Sequence, residues 1–204
     1  MPEPDRPDRL IVGITGASGM IYGIRMLQLL RPTPVQTHLV VTKSARMTLA
    51  YETDMSPADL SALADVCYTN TDLGGAISSG SFRTTGMVVS PCSVKSMSEI
   101  ASGVTSTLLT RAADVVLKEQ RRLVLMVRET PLHRNHLRTM TELSELGAVI
   151  APPVPAFYTR PASLEEMVDH TVGRVLDLFG IETGTVRRWE GGPPGTSGAA
   201  PPPG

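Results

Sequence analysis

The sequence predicts an α/β protein: one parallel sheet, doubly wound by helices on both faces, in a three-layer single domain. Three observations carry this reading. Short runs rich in Leu, Ile and Val alternate with segments of helical period. The runs are apolar throughout, as strands buried on both faces are. Polar or glycine-bearing signatures close several of the runs, and strands that alternate with helices build parallel sheets whose ligands bind at the strands' carboxyl ends.

Taken in order, Arg9–Thr15 (RLIVGIT) reads as a buried strand entering the turn Gly-Ala-Ser-Gly at 16–19. Ile21, Ile24, Leu27 and Leu30 then recur at helical spacing until Pro32 stops the helix. Val35–Thr42 is the second strand, followed by one helix to about Glu52 and another over Pro57–Ala64. Gly, Ser and Thr crowd Asn70–Thr85 without a period, so it reads as a functional or flexible loop. Met87–Ser90 is a further strand, and Pro91-Cys92-Ser93 turns it into a helix ending near Ser102. A helix over Leu108–Glu119, a strand over Leu123–Arg128, a helix over Leu137–Leu146 and a short strand over Ala148–Ala151 follow. The last helix, Leu164–Phe179, places Leu164, Met167, Val168, Val172, Val175, Leu176 and Phe179 on one apolar stripe. The expected domain is 9–189, between a flexible N-terminus at 1–8 and a disordered Pro/Gly tail at 190–204.

With 204 residues, 41% of them hydrophobic and 19% charged, the chain is long enough for one core. Its net charge of -1 gives no electrostatic reason to expect nucleic acid as a partner. No apolar run approaches the ~20 residues that span a bilayer, and the charged N-terminus carries no signal-like stretch, so no membrane and a cytoplasmic location are expected. Neither the two cysteines, Cys67 and Cys92, nor the four histidines fall in metal-ligand spacing, so no metal is expected.

Candidate site residues gather at predicted strand ends. Gly16, Ala17, Ser18 and Gly19 open a helix, where free N–H groups and the helix dipole favour a phosphate; a tight turn with a Ser cap suits the same residues. Thr42 can add a hydroxyl to that phosphate or simply cap a helix, and Ser93, Val94, Lys95 and Ser96 pose the same choice. Arg128 and Glu129 put a cation and a carboxylate at the end of an apolar strand, either in the crevice or as a surface pair. Lys118, Tyr158 and Arg174 are further candidates whose meeting no spacing shows.

Six motifs in this order, Gly16–Gly19, Ser79-Gly80-Ser81-Phe82, Ser90-Pro91-Cys92-Ser93, Arg111–Glu119, Arg128-Glu129-Thr130-Pro131 and Pro155-Ala156-Phe157-Tyr158, resemble the UbiX-type flavin prenyltransferases. The likeness runs from about Arg9 to Trp189. It implies a Rossmann-like subunit of a large homo-oligomer, expected to be a dodecamer, with FMN held between subunits. By motif, Gly16, Ala17, Ser18 and Thr42 would hold the phosphate side of FMN, and Ser93 to Ser96 with Arg128 the rest. Lys118, Arg128, Glu129, Tyr158 and Arg174 match a clamp on dimethylallyl phosphate, and Glu52 matches a glutamate near the reacting flavin.

The implied reaction joins the dimethylallyl group to N5 and C6 of reduced FMN, and prenylated FMN then passes to a UbiD-type decarboxylase. The residue types suit it. Cations stabilise a departing phosphate without a metal, a glutamate serves as acid and then base, and a dry pocket protects the allylic cation. Thr42 stands where Ser is common and Ser96 where Thr is common, both keeping the hydroxyl; Gln120 replaces an Arg. Two other readings stand beside it: an FMN-dependent decarboxylase of the cysteine-decarboxylase type, which shares fold and cofactor, and a non-catalytic flavin-carrying subunit of an aromatic acid decarboxylase. The first needs an early histidine and a Pro-Ala-Ser-Ala-Asn-Thr-like segment, whereas His38 falls within a predicted strand and the segment here is Ser90-Pro91-Cys92-Ser93.

Overall fold

The computed structural model describes residues 8–189. Apart from Asp8, the expected N-terminal arm and the whole of the expected tail lie outside the described residues. Six parallel strands, β1 (Arg9–Ile14), β2 (Gln36–Val41), β3 (Val66–Thr69), β4 (Gly86–Cys92), β5 (Arg122–Val127) and β6 (Val149–Ile150), form one Rossmann-like sheet in the order β3-β2-β1-β4-β5-β6. The helices are α1 (Met20–Leu30), α2 (Lys43–Glu52), α3 (Pro57–Ser61), α4 (Val94–Ala101), α5 (Leu108–Lys118), α6 (Arg134–Glu145) and α7 (Leu164–Asp177). Among the described residues, no helix is long and apolar enough to cross a membrane.

Alternate residues of each strand feed the two faces, as the period of two requires. Leu10, Val12 and Ile14 of β1 join Met20, Leu27, Val172 and Leu176 of α1 and α7 in one core. Ile11 of the same strand joins Met87, Leu109, Ala113 and Leu125 in the other, under α4 and α5. Hydroxyl side chains cap the helices: Thr42, Ser93, Thr107 and Ser163 accept a first-turn N–H of α2, α4, α5 and α7.

Two elements differ from the sequence reading. Edge strand β3 was not expected, because its four residues alternate in burial between half-buried and exposed and carry too few apolar side chains to stand out. β4 continues through Pro91 to Cys92, where the sequence suggests a turn. Proline lacks the ladder N–H, and the register between β4 and β5 shifts between Val89 and Cys92 to accommodate it. The segment 70–85 is a loop with one 3-10 turn at Ala76–Ser78, and it is tied down rather than loose. Ile77 is buried, while Arg121 donates to the carbonyls of Phe82 (2.8 Å) and Gly80 (2.6 Å).

Helix α1 presses on β4 at Gly23, where an added Cβ would stand 2.4 Å from the Ser90 carbonyl oxygen and 2.9 Å from Ile14 Cδ1. Backbone cannot yield as a side-chain tip can. Gly23→Ala is therefore expected to lose about 1–3 kcal/mol despite the better helix propensity of alanine, read as a lower midpoint in urea denaturation.

Candidate active site

Strands β1 and β4 stay paired as far as Gly13 and Val89. There the chain leaves β1 for one face of the sheet and β4 for the other, which opens a crevice at their carboxyl ends. Thr15, wholly buried, spans the parting. Its hydroxyl donates to the Pro91 carbonyl (2.8 Å) and accepts the Ser93 N–H (2.7 Å). Ser93 in turn accepts the Ser96 N–H at 3.2 Å and starts α4. On the other side, the Thr42 N–H reaches the Ile14 carbonyl at 3.0 Å, and its hydroxyl accepts the Ala45 N–H at 3.1 Å to start α2.

A cavity of about 370 Å³ lies where three helices begin, bordered by Lys43 and Ser44 of α2, Lys95 and Ser96 of α4, and Thr107 before α5. Asn70 already accepts the first N–H groups of α5, at 2.8 Å to Leu108 and 3.0 Å to Leu109. Thr42 and Ser93 cap Ala45 and Ser96, while the remaining first-turn N–H groups of α2 and α4 have no acceptor within their own helices; the cavity also carries several hydroxyls, Lys43, and Lys95 paired with Glu99 at 3.7 Å. That set suits an anionic, hydroxyl-rich ligand such as a nucleotide-like phosphate. Gly16 borders the same wall: a Cβ there would meet Ser44 Oγ at 2.6 Å.

The start of α1 is arranged differently. Glu52 accepts the N–H groups of Gly19 (2.9 Å) and Met20 (2.8 Å), so these two groups are taken, whereas the sequence reading expects free N–H groups here for a phosphate. Partial burial raises the carboxyl's pKa, but the Ser18 hydroxyl, the Met20 and Gly19 N–H groups and the Arg128 guanidinium outweigh it and hold Glu52 below the ordinary carboxylate range. The Arg128 stem passes Gly19, whose added Cβ would lie 3.9 Å from Arg128 Cγ. Ser18, Glu52 and Arg128 thus meet at the crevice, with half-buried Tyr22 packed against Gly19.

The remaining candidates are not gathered there. Glu129 follows Arg128, and its carboxylate accepts the N–H of Thr130 at 3.0 Å. Lys118 ends α5, before β5 begins at Arg122, and pairs with Glu119 at 2.5 Å. Six residues of strand, about 20 Å, separate that edge of the sheet from Arg128. Arg174 lies in the last turn of α7, on the opposite face, paired with Asp177 at 2.7 Å. Tyr158 reaches the buried His170 of α7 at 3.5 Å, one helical turn before Arg174, and meets Trp189 edge-on at 5.7 Å. A cavity of about 250 Å³ adjoins this group, between α7 and the chain at 184–187. Thr15, Tyr22, Asn70, Thr107 and His170 escape sequence reasoning. A buried threonine closing an apolar run, and a histidine inside an amphipathic helix, carry no local signal of a role. His38 lies inside β2, bonded to Tyr68 (2.9 Å) and Gln36 (3.2 Å), and takes no part in the crevice.

Comparison with known proteins bears on this arrangement. The family model described as Flavoprotein matches residues 1–176. The flavin prenyltransferase UbiX of Escherichia coli (strain K12) is 59% identical over 186 residues, which cover 90% of this chain and 98% of that one. Among solved structures, AnUbiX (PadA1) in complex with FMN and dimethylallyl pyrophosphate superposes with a TM-score of 0.90 at 51% identity, covering 91% of this chain and 99% of that one. A dodecameric FMN-dependent UbiX-like decarboxylase from Escherichia coli O157:H7 does so with 0.88 at 50%, covering 90% and 100%.

The Glu52 contacts make a pH-dependent prediction. A carboxyl held below its ordinary value of 4.5 stabilises the fold above that pH, and the contribution disappears as pH falls through the lower folded value. Thermal melts should therefore show Glu52→Gln less stable than the parent at pH 7, with the gap closing below about pH 4.

Proposed function

Because the chain belongs to the flavoprotein family, among its UbiX-type flavin prenyltransferases, we propose that it joins a dimethylallyl group from dimethylallyl phosphate to N5 and C6 of reduced FMN. It is a transferase that binds FMN, and its product serves a UbiD-type decarboxylase. The observation that carries the reading is the crevice at the β1–β4 parting. There the strand ends lead to a cavity where the helices α2, α4 and α5 begin, and to the start of α1, where an ionised Glu52 meets Arg128. We place the reaction in the cytoplasm, where two free thiols, one exposed and one buried, stay reduced.

The cavity fits the polar end of FMN: Thr42, Ser44 and Ser96 offer hydroxyls, Gly16 lets the backbone come close, and Lys43 and Lys95 balance phosphate charge. Arg128, beside Gly19 and Glu52, faces the remainder of the flavin, with Val94 and Ser93 bounding the loop opposite. Reduced FMN, when bound, supplies the nucleophilic N5 and C6. The protein's own part is to bind the donor's phosphate, draw off the charge that grows on it and keep water out. Lys118, Arg128, Tyr158 and Arg174 meet the growing negative charge, and Glu129 passes a proton to the departing phosphate.

Those groups lie in three places on one subunit, so the reading requires neighbouring copies to bring them together. The dodecameric relative supplies a precedent for such an assembly.

Anaerobic incubation with FMN, dithionite and dimethylallyl phosphate should yield a flavin heavier by one C5H8 unit, read by mass spectrometry. Unmodified FMN, with active controls, would sink the reading. Glu129→Gln and Tyr158→Phe should each slow formation by about a hundredfold or more. Lys118→Ala and Arg128→Ala, each inactive alone, should regain activity when unfolded and reassembled together, because intact sites then draw the two residues from different subunits.

A further inference from the structure

We propose that Thr15 is a positioning residue for the flavin loop Ser93–Ser96, acting through the start of α4. The pairing of β1 with β4 ends at Gly13 and Val89. Beyond it Pro91 has no N–H to offer and the β4–β5 register shifts between Val89 and Cys92, so backbone pairing at 91–93 is thinned, with the Arg128 N–H on the Cys92 carbonyl (3.0 Å) holding the β5 side. On the β1 side the Thr15 side chain reinforces it. One hydroxyl both donates to the Pro91 carbonyl at 2.8 Å and accepts the Ser93 N–H at 2.7 Å, in a place with no access to water. The Thr15 N–H adds a 3.2 Å bond to the same carbonyl. Ser93 then caps α4, and Lys95 and Ser96 of that first turn border the cavity.

Threonine fits this duty because its hydroxyl is donor and acceptor at once and its β-branch restricts χ1. Thr15 itself does not line the cavity, so its effect on a ligand is indirect. The inference rests on the proposed placing of FMN at Ser93–Ser96.

The test titrates oxidised FMN into the purified oligomer by flavin fluorescence, with the melting temperature measured alongside. Thr15→Val keeps the shape and removes both hydroxyl bonds; its Kd for FMN should rise roughly tenfold or more, counted on folded protein. Thr15→Ser restores the hydroxyl and should return Kd to within about threefold of the parent. Leu176→Ala, a truncation in the other core, should lower the melting temperature and leave Kd unchanged, which separates positioning from general weakening. Should Thr15→Val not fold, Thr15→Cys, with a weaker donor and acceptor, is read in the same way. Parent-like FMN affinity in the folded Val or Cys variant would overturn the proposal. A parent that binds no FMN would overturn both this inference and the function it rests on.

Discussion

The site depends on the parting of β1 and β4. In a doubly wound sheet the helices after these two strands go to opposite faces, so the strands cannot stay paired to their ends. The parting leaves polar backbone exposed inside the protein, and buried polar groups must find partners. Thr15 answers for Pro91 and Ser93, and Thr42 for Ile14. Glu52 answers for Gly19 and Met20 from the far end of α2. Two of these partners, Thr15 and Glu52, act through side chains, so the opening is held without being closed.

That solution also sets the electrostatics. A chain of net charge -1 cannot attract an anion by its overall field, so local arrangement must do it. The beginnings of α2 and α4 border one cavity, together with Lys43 and with Lys95, which pairs with Glu99. At α1 the same positive end is occupied by Glu52, whose charge is in turn shared with Arg128. One helix start therefore holds a carboxylate of the protein's own, while its neighbours face the cavity. The crevice is divided into a region suited to phosphate and a region with an ionised acid beside a guanidinium.

Much of this was legible in the sequence. Apolar runs such as Leu10–Ile14 and Leu123–Val127 are long and uniform enough to declare buried strands, and capping hydroxyls such as Thr42 and Ser93 mark helix starts. Strand β3 was not legible, since an edge strand of four residues with one face exposed lacks an apolar signature. The extension of β4 through Pro91 was hidden by the usual meaning of proline, which holds for unbroken ladders and not for a strand end with shifted register. Glu52 as the partner of Gly19 could not be read at all, because 33 residues separate them and only the return of α2 to the crevice joins them.

The distribution of Lys118, Arg128 and Arg174 follows from chain direction alone. Every helix that returns between parallel strands ends at the sheet edge where the next strand begins, so a residue closing α5 lies opposite one that follows β5. Arg174 ends α7 near the same edge as Lys118, where Arg122 at the start of β5 donates to the Leu178 carbonyl, but α7 covers the other face. Three cationic residues so placed on one subunit cannot share an anion of a few ångströms. Each is instead held by a neighbouring carboxylate or by the crevice: Glu119 for Lys118, Asp177 for Arg174, Glu52 for Arg128. The cationic partners of these pairs reach solvent, where such pairs are weak and can be exchanged for a phosphate. A clamp assembled from several copies would therefore need only to swap partners, with no rearrangement of the fold that carries them.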